Sequence, residues 1–430
     1  MLGWNSWVLL GTSVNESAVR AVADGLAARG LVAAGYTRLL VDDCWASALR
    51  GADGRLASDP SAFPSGMPAL AEHARSRGLE LGLYLTAGSS TCVCERAGSQ
   101  GNELLDAATL RDWGVTTLKY DDCNAHGELE VDRFARMSQA LEQAGWRERV
   151  FFQICTWGCG GPQEWAGRVG DSFRTYHDII AGRWDTVLSN AQATYSLAGG
   201  RPLGAQADSD PLLVGLPGLT RAQQRTQFSL WAMARGPLVL SFDPGSAPDW
   251  VIDMVTNPRV LEIHADGAGQ PAVPLAGASG ASAYGAPLSG GRAALLLVNE
   301  AGGAVNATFS WSRAGVLARG ALDAWSGGPV LFHETELRVQ LPPHGDALLV
   351  LSGLEVWAPV LRPARLAGPR CYKDTGVNWA ASGVGAGLVA LALGGRYLRQ
   401  RIRAAKAAPA AWPPRYAPAR AHASSQRPRS

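Results

Sequence analysis

A chain of 430 residues, 47 % hydrophobic and 18 % charged, can bury a sizeable core, which excludes wholesale disorder and suggests two or three domains. Its net charge of +2 argues against nucleic-acid binding but hides a split: Arg396 to Ser430 carries nine basic residues and no acid, leaving −7 on the rest. Seven cysteines are too few for a small disulfide scaffold, and Cys92 and Cys94 lack the Cys or His partners that a zinc finger needs.

In chain order, Gly3 to Trp7 reads as a strand end and Glu16 to Ala34 as a helix closed by Gly35. Thr37 to Val41 is a strand ending on two aspartates. Leu79 to Leu85 and Val115 to Tyr120 follow as strands, then Leu129 to Ala144 as a helix and Val150 to Ile154 as a strand. Ser172-Phe173, Leu203 to Gln206 and Leu238 to Phe242 complete eight strand positions, with a helix over Arg221 to Ala234. Strands alternating with helices imply a parallel sheet, and eight such units suit a (β/α)8 TIM barrel over residues 1–267. A doubly wound sheet would want a glycine-rich phosphate loop after an early strand, and none occurs.

Beyond Gly267 the pattern changes to Ala293–Val298, Val305–Trp311, Leu337–Leu341 and Ala347–Leu351, separated by Gly, Pro and polar turns. This predicts a small antiparallel β-sandwich domain over 268–357, then a linker over 358–375. Residues 376–395 are free of charge and are followed by RYLRQRIRAAK, so 376–398 is expected to associate with or span a membrane. The basic segment 399–430 is expected to be disordered.

A barrel does its chemistry at the C-terminal ends of its strands. Asp42 and Asp43 end the second strand, Asp121 and Asp122 the fourth, Asp178 follows the sixth, and Asp208 and Asp210 follow the seventh. Acids after strands are common as turn caps, but like charges gathered at one rim are costly unless function holds them there. Lys119 and Asp121 share one face of an extended strand, so the lysine should lower the Asp121 pKa, as a nucleophile needs. Asp178, if free of Arg174, would be the acid of higher pKa, and such a pair is the equipment of glycoside hydrolysis. Trp4, Trp7, Trp45, Tyr84, Tyr120 and Trp157 surround these acids. Most such aromatics belong to a core, and Trp7 and Trp157, at strand ends, are the best candidates for a sugar-binding wall.

GWNSW (Gly3 to Trp7), VDDCW (Val41 to Trp45), LYLTAG (Leu83 to Gly88), TLKYDDC (Thr117 to Cys123) and FRTYHDI (Phe173 to Ile179) resemble the melibiase family of glycoside hydrolases. That family holds the eukaryotic-type α-galactosidases and α-N-acetylgalactosaminidases. Leu219 to Asp243 and Val255 to His264 are similar to it as well, so the resemblance runs from Met1 to about Leu351. It implies a barrel followed by a β domain, retention through a covalent glycosyl-enzyme, Asp121 as nucleophile and Asp178 as acid/base. It further implies that Asp42 and Asp43 bind the sugar's 4- and 6-hydroxyls and that Lys119 and Arg174 reach neighbouring hydroxyls. Trp7 and Tyr84 would line the ring, Asp210 would close the site, and Asp122 would be a rim acid.

A Cys92–Cys123 disulfide is expected from the same resemblance, with Cys94 the spare of its pair. Thr12 stands where the family has a cysteine, which leaves Cys44 without its usual partner. After the fifth strand the substrate-side residues Cys155, Thr156 and Trp157 stand in CTWGC, where α-galactosidases have CEW. Thr156 and Cys159 are small enough to leave room for an acetamido group, which keeps α-N-acetylgalactosaminidase as the alternative to α-galactosidase. An inactive galactose-binding protein is the non-enzymatic alternative.

No metal or organic cofactor is expected. The expected partners are an α-galactoside-bearing carbohydrate, a membrane surface for the tail, and a second copy of the chain in a homodimer. The resemblance points to a secretory or vacuolar/lysosomal-type lumen, although no signal peptide precedes the first element, and the charge-free stretch to a single-pass anchor.

Overall fold

The computed structural model describes residues 1–125, 127–198 and 204–361. Eight short strands, β1 (Leu2–Asn5), β2 (Arg38–Val41), β3 (Glu80–Thr86), β4 (Thr117–Asp121), β5 (Phe151–Cys155), β6 (Ser172–Arg174), β7 (Gln206–Asp208) and β8 (Leu238–Leu240), form one sheet in the order β7-β6-β5-β4-β3-β2-β1-β8. Every pairing within it is parallel. Across the β7/β8 seam, the Leu212 amide donates to the Val239 carbonyl at 2.8 Å. A Cβ at Gly236 would collide with the Ala207 carbonyl, so that seam requires glycine. The architecture is a TIM barrel.

Strand alternation sorts the fourth strand: Leu118 and Tyr120 are fully buried outward, Tyr120 against Phe134 and Phe152, while Lys119 and Asp121 take the other face. The first long helix ends earlier than the apolar pattern suggests, at Ala28 instead of Ala34, because Gly30 takes φ +74° and turns the chain. The helices at Gly66–Ser76, Glu103–Trp113, Trp184–Ser196, Asp249–Val255 and Pro258–Ala265 were not anticipated.

The second region is antiparallel. A five-stranded sheet runs β15 (Gly320–Asp323), β17 (Asp346–Ser352), β12 (Arg292–Val298), β11 (Ser282–Leu288), β9 (Val273–Leu275), and a three-stranded sheet runs β10 (Ala278–Ser279), β13 (Val305–Ser310), β16 (Glu336–Leu341). Strand β12 reads RAALLLV, apolar almost throughout, because both its faces are covered. Leu295 and Leu297 enter the sandwich core with Phe309, Trp311 and Leu349, while Ala294, Leu296 and Val298 join the barrel's core.

The barrel helix Arg221–Ala234 lies between the two and is buried along nearly its whole length. Its Arg225 Nε bonds Asp346 Oδ1 at 2.8 Å, and its Ser229 hydroxyl donates to Asp346 Oδ2 at 2.6 Å. Asp346 is a fully buried carboxylate at the start of β17.

Among the described residues no helix is long and apolar enough to cross a membrane. A span needs about 20 apolar residues, and the longest helices here have 14. The expected membrane association of the tail and the single-pass anchor are corrected accordingly. The stretch 376–398 to which they were assigned, and the tail 399–430, lie outside the described residues.

Removing Arg225 leaves the Asp346 carboxylate buried without its cation. R225A should therefore lose about 3 kcal/mol of stability in reversible denaturant unfolding. A loss under about 0.5 kcal/mol, the usual worth of an exposed pair, would show that Arg225 does not hold the joint.

Candidate active site

The strand ends gather five acids, Asp42, Asp43, Asp121, Asp178 and Asp210, around two cations, Lys119 and Arg174. At the end of β2, Asp42 Oδ2 accepts from Lys119 Nζ at 2.8 Å and from Asn5 Nδ2 at 2.7 Å. The Asn5 Oδ1 in turn accepts the Trp7 amide at 2.7 Å, so the asparagine of GWNSW ties the first strand end to the second. Asp43 is held by backbone alone: Oδ1 accepts the Cys44 amide at 2.6 Å and Oδ2 the Val93 amide at 2.9 Å.

The β3 loop that supplies Val93 is fastened on both sides. Cys44 pairs with Cys94 and Cys92 with Cys123. The second pairing is as expected; the first corrects the view of Cys44 as unpartnered and Cys94 as spare. The chain brings Cys94 to Cys44 through the Asp43 carboxylate, which also accepts the Cys94 amide at 3.3 Å. A Cβ on Gly88 would strike the Cys123 carbonyl, and one on Gly98 would strike the Gly88 carbonyl, so this packing needs both glycines.

On β4, Lys119 Nζ sits 5.2 Å from the centre of the buried Tyr84 ring. The Tyr84 hydroxyl donates to Cys92 Sγ at 2.8 Å, and that sulfur lies 3.4 Å from Asp121 Oδ2. A disulfide sulfur carries no hydrogen, so the latter is a contact and not a hydrogen bond. Asp122 is not a rim acid. Its side chain is fully buried and ion-paired with Arg133 of the helix Glu130–Gln143, which fixes the turn behind Asp121.

Arg174, on β6, is the hub of the opposite wall. Nη1 pairs with Asp210 Oδ1 at 2.7 Å, Nη2 pairs with Asp178 Oδ1, and Nη1 also lies 3.7 Å from Cys155 Sγ. Trp157 Nε1 donates to the same Asp178 oxygen at 3.2 Å. Trp157 and Asp210 hold φ of +52° and +78°, a conformation non-glycine residues rarely adopt. The Asp210 turn is maintained from behind: Ile179 N donates to Asp210 Oδ2 at 2.7 Å, and Trp231 Nε1 to the Asp210 carbonyl at 2.6 Å. Gln224 and Gln227 bond the amides of Gly215 and Leu213 at 2.7 and 2.8 Å.

Asn5, Trp231, Gln224 and Gln227 were not singled out from the sequence. Their signal was present, since polar and aromatic residues with hydrogen-bonding heads stand in the otherwise buried stretch Leu219 to Asp243. Trp4, Trp45 and Tyr120 are core residues, whereas Trp7 and Trp157 are partly exposed at strand ends.

The charge states differ from expectation. Burial raises the Asp121 pKa to about 7, against the pull of Lys119 and with the Asp178 charge adding to the rise. Burial would also raise Asp178, but the Arg174 and Lys119 cations overcome it and hold Asp178 below its usual value. The side chain of Asp178 is 64 % exposed to the cleft, which limits that burial. Asp210 is pushed up to about 8 by burial, opposed by Arg174. Arg174 is locked to Asp178, so the expected order of the two carboxylates is reversed. Two groups, Asp43 with Cys44 and Cys94, and Asp121 with Cys92 and Cys123, have metal-ligating spacing. Their sulfurs are joined in disulfides and offer no thiolate.

An acid-lined cleft at the strand ends of a (β/α)8 barrel, with a β-sandwich behind it, is the architecture of a glycoside hydrolase. The α-galactosidase A family pattern matches residues 11–266, and that of the α-galactosidase C-terminal β-sandwich domain matches 279–351. An α-galactosidase of Oryza sativa subsp. japonica is 35 % identical over 354 residues, covering 82 % of this chain and 84 % of the relative. One from Cyamopsis tetragonoloba is 34 % identical over 82 % and 85 %. The crystal structure of α-galactosidase I from Mortierella vinacea superposes with a TM-score of 0.76 at 26 % identity, covering 82 % of this chain and 97 % of that one. The chain belongs to the α-galactosidase (melibiase) family and is an enzyme, a glycoside hydrolase acting on galactosyl or related sugars.

Peptide mapping without reduction should yield Cys44–Cys94 and Cys92–Cys123 peptides, with Cys155 alkylated only after unfolding. Free Cys44 in folded protein, or Cys155 modified as fast as an exposed thiol, would contradict the arrangement.

Proposed function

We propose that the enzyme hydrolyses terminal, non-reducing α-D-galactosyl residues with retention, through a covalent glycosyl-aspartate on Asp121 with Asp178 as acid/base. The observation that carries this reading is the convergence of Asp121 and Asp178 on one cleft, each within the electrostatic reach of the other and of Lys119. In the first step an Asp121 oxygen bonds to C1 as the C1–O bond to the leaving group breaks, and Asp178 protonates the departing oxygen. In the second, Asp178 takes a proton from water, whose oxygen bonds to C1 and releases Asp121. Asp42, Asp43 and Lys119 meet the hydroxyls on one side of the ring, and Arg174 and Asp210 those on the other. Trp7 and Trp157 supply apolar faces.

With its pKa raised to about 7, Asp121 holds its proton through the acidic range, and Arg174 keeps Asp178 ionised. The productive arrangement is the reverse, so the pair reacts from its minor one-proton form. A sugar hydroxyl that engages Arg174 loosens its hold on Asp178 and favours transfer of the proton there. The sign of the pH dependence follows. kcat/KM falls on the alkaline side as the pair loses its one proton near pH 7, and on the acid side as Asp178 takes a second proton below the usual carboxylate range.

The galactoside is favoured over the acetamido sugar. Thr156 is 0 % exposed and Cys159 is 1 % exposed, and this burial supports a site without added room at C2. Matched chromogenic substrates should therefore show faster turnover of the α-galactoside, and a preference for the α-N-acetylgalactosaminide would reverse that assignment. D121N should fall by roughly four orders of magnitude. A slowly released fluorinated galactosyl substrate should leave its added mass on the peptide holding Asp121; the mass on any other residue would move the nucleophile.

A further inference from the structure

The two aspartates after β2 are held in different ways. Asp42 is gripped by side chains, Lys119 Nζ at 2.8 Å and Asn5 Nδ2 at 2.7 Å. Asp43 is buried and held by backbone amides: Oδ1 accepts from Cys44 at 2.6 Å, and Oδ2 from Val93 at 2.9 Å and Cys94 at 3.3 Å. Two of these three donors belong to the half-cystines of one disulfide, Cys44–Cys94, and the third to the residue beside Cys94. The bridge and the amides together enclose the carboxylate.

We propose that the Cys44–Cys94 disulfide is a positioning clasp for Asp43: it holds the tip of the β3 loop so that its amides aim the carboxylate at one sugar hydroxyl. The clasp thereby sets how strongly the enzyme discriminates against a galactoside that lacks this hydroxyl. The proposal rests on the reading of the cleft as a galactoside site and names the residues that govern its selectivity.

The loop is anchored at its base and tied covalently at its tip. Residues 90–97 double back on themselves, with the Thr91 amide donating to the Arg96 carbonyl at 2.9 Å and an antiparallel bridge between Ser90 and Ala97. At the base, Asn124 Nδ2 donates to the Ser90 and Thr91 carbonyls at 3.1 Å, and Arg96 Nη2 pairs with Asp59 Oδ2 at 3.3 Å. At the tip, Val93 is 51 % exposed, so its side chain contributes little packing to hold its amide in place. The Cys92–Cys123 bridge ties the tip to the Asp121 side, where Cys92 Sγ lies 3.4 Å from Asp121 Oδ2. Cys44–Cys94 is the covalent tie on the Asp43 side. Cys44 itself holds φ +79°, a conformation that persists in a residue with a side chain only where its surroundings enforce it.

A carboxylate offers about four lone-pair sites and no donor. Three amides occupy most of that capacity at Asp43 and leave one direction in which it can accept, and a hydroxyl is the donor that a sugar brings. A fixed acceptor binds that O–H without first losing freedom of its own. Loss of the clasp therefore weakens this one bond. A sugar without the hydroxyl never made the bond and does not feel the loss.

The test compares kcat/KM on a chromogenic α-galactoside with that on its 4-deoxy and 6-deoxy analogues, for the wild-type chain, D43A and C44A/C94A. D43A identifies the hydroxyl concerned by lowering the ratio of the parent rate to that of one analogue. C44A/C94A should lower the same ratio by roughly tenfold, the scale of one hydrogen bond to a charged group, because the parent slows and the analogue does not. Both rates come from one preparation, so any unfolded fraction cancels. A disulfide that merely stabilised the fold would leave the ratio unchanged, and an unchanged ratio in C44A/C94A overturns the proposal. If the double variant does not fold, V93P decides. It keeps the bridge and removes one amide donor; the ratio should fall in the same way, and an unchanged ratio overturns the proposal. If D43A lowers neither ratio, Asp43 reads no hydroxyl and the proposal falls. If the wild-type chain leaves the parent α-galactoside untouched, the galactosidase reading fails instead, so the two failures are distinguishable.

Discussion

Two cations, Lys119 and Arg174, stand among the carboxylates of Asp42, Asp121, Asp178 and Asp210. They cannot neutralise all four in a buried cleft, and protonation makes up the difference: Asp121 and Asp210 are driven up to about 7 and about 8. Such an imbalance is expensive in a fold whose net stability is small. It persists because each carboxylate is fixed in place, Asp42 by Asn5, Asp121 by the Asp122 turn, Asp178 by Arg174 and Trp157, and Asp210 by Ile179. In a galactoside hydrolase, sugar hydroxyls are the natural donors to these acids.

The supporting structure reaches well beyond the rim. The helix Arg221–Ala234 bonds the Asp210 carbonyl through Trp231 on one side and the Asp346 carboxylate of the β-sandwich on the other. The sandwich therefore braces the helix that shapes one wall of the cleft. Strand β12 lies at the same junction, with its alternate residues in the two cores. On the opposite wall the two disulfides grip the β3 loop from β2 and β4, and the Asp43 carboxylate accepts two of its amides. Both walls are thus over-determined around the acids.

Much of this was legible in the sequence because strand period and strand-end acids are local signals. The helix expected over Arg221 to Ala234 has those bounds, and Thr220 and Gln223 form a capping box at its start. The family motifs located the Cys92–Cys123 bridge. What escaped depends on distance in three dimensions. Cys44 reads as unpartnered because Thr12 stands where its usual mate would be, and nothing local says that Cys94, fifty residues away, turns back toward it. Asp122 looked like a rim acid because its partner Arg133 lies on the next helix. The order of the Asp121 and Asp178 pKa values is not legible there, because burial outweighs the Lys119 charge at Asp121 and the Arg174–Asp178 pair is visible only in space.

The enzyme is proposed to be a retaining hydrolase of α-galactosides, and the anomer first released tests that most directly. Proton NMR of the earliest product from an unactivated α-galactoside, followed faster than mutarotation, should show α-galactose first, with β-galactose appearing only as the sugar equilibrates. If β-galactose appears first, attack is by water in a single displacement, and the glycosyl-aspartate on Asp121 is not on the path.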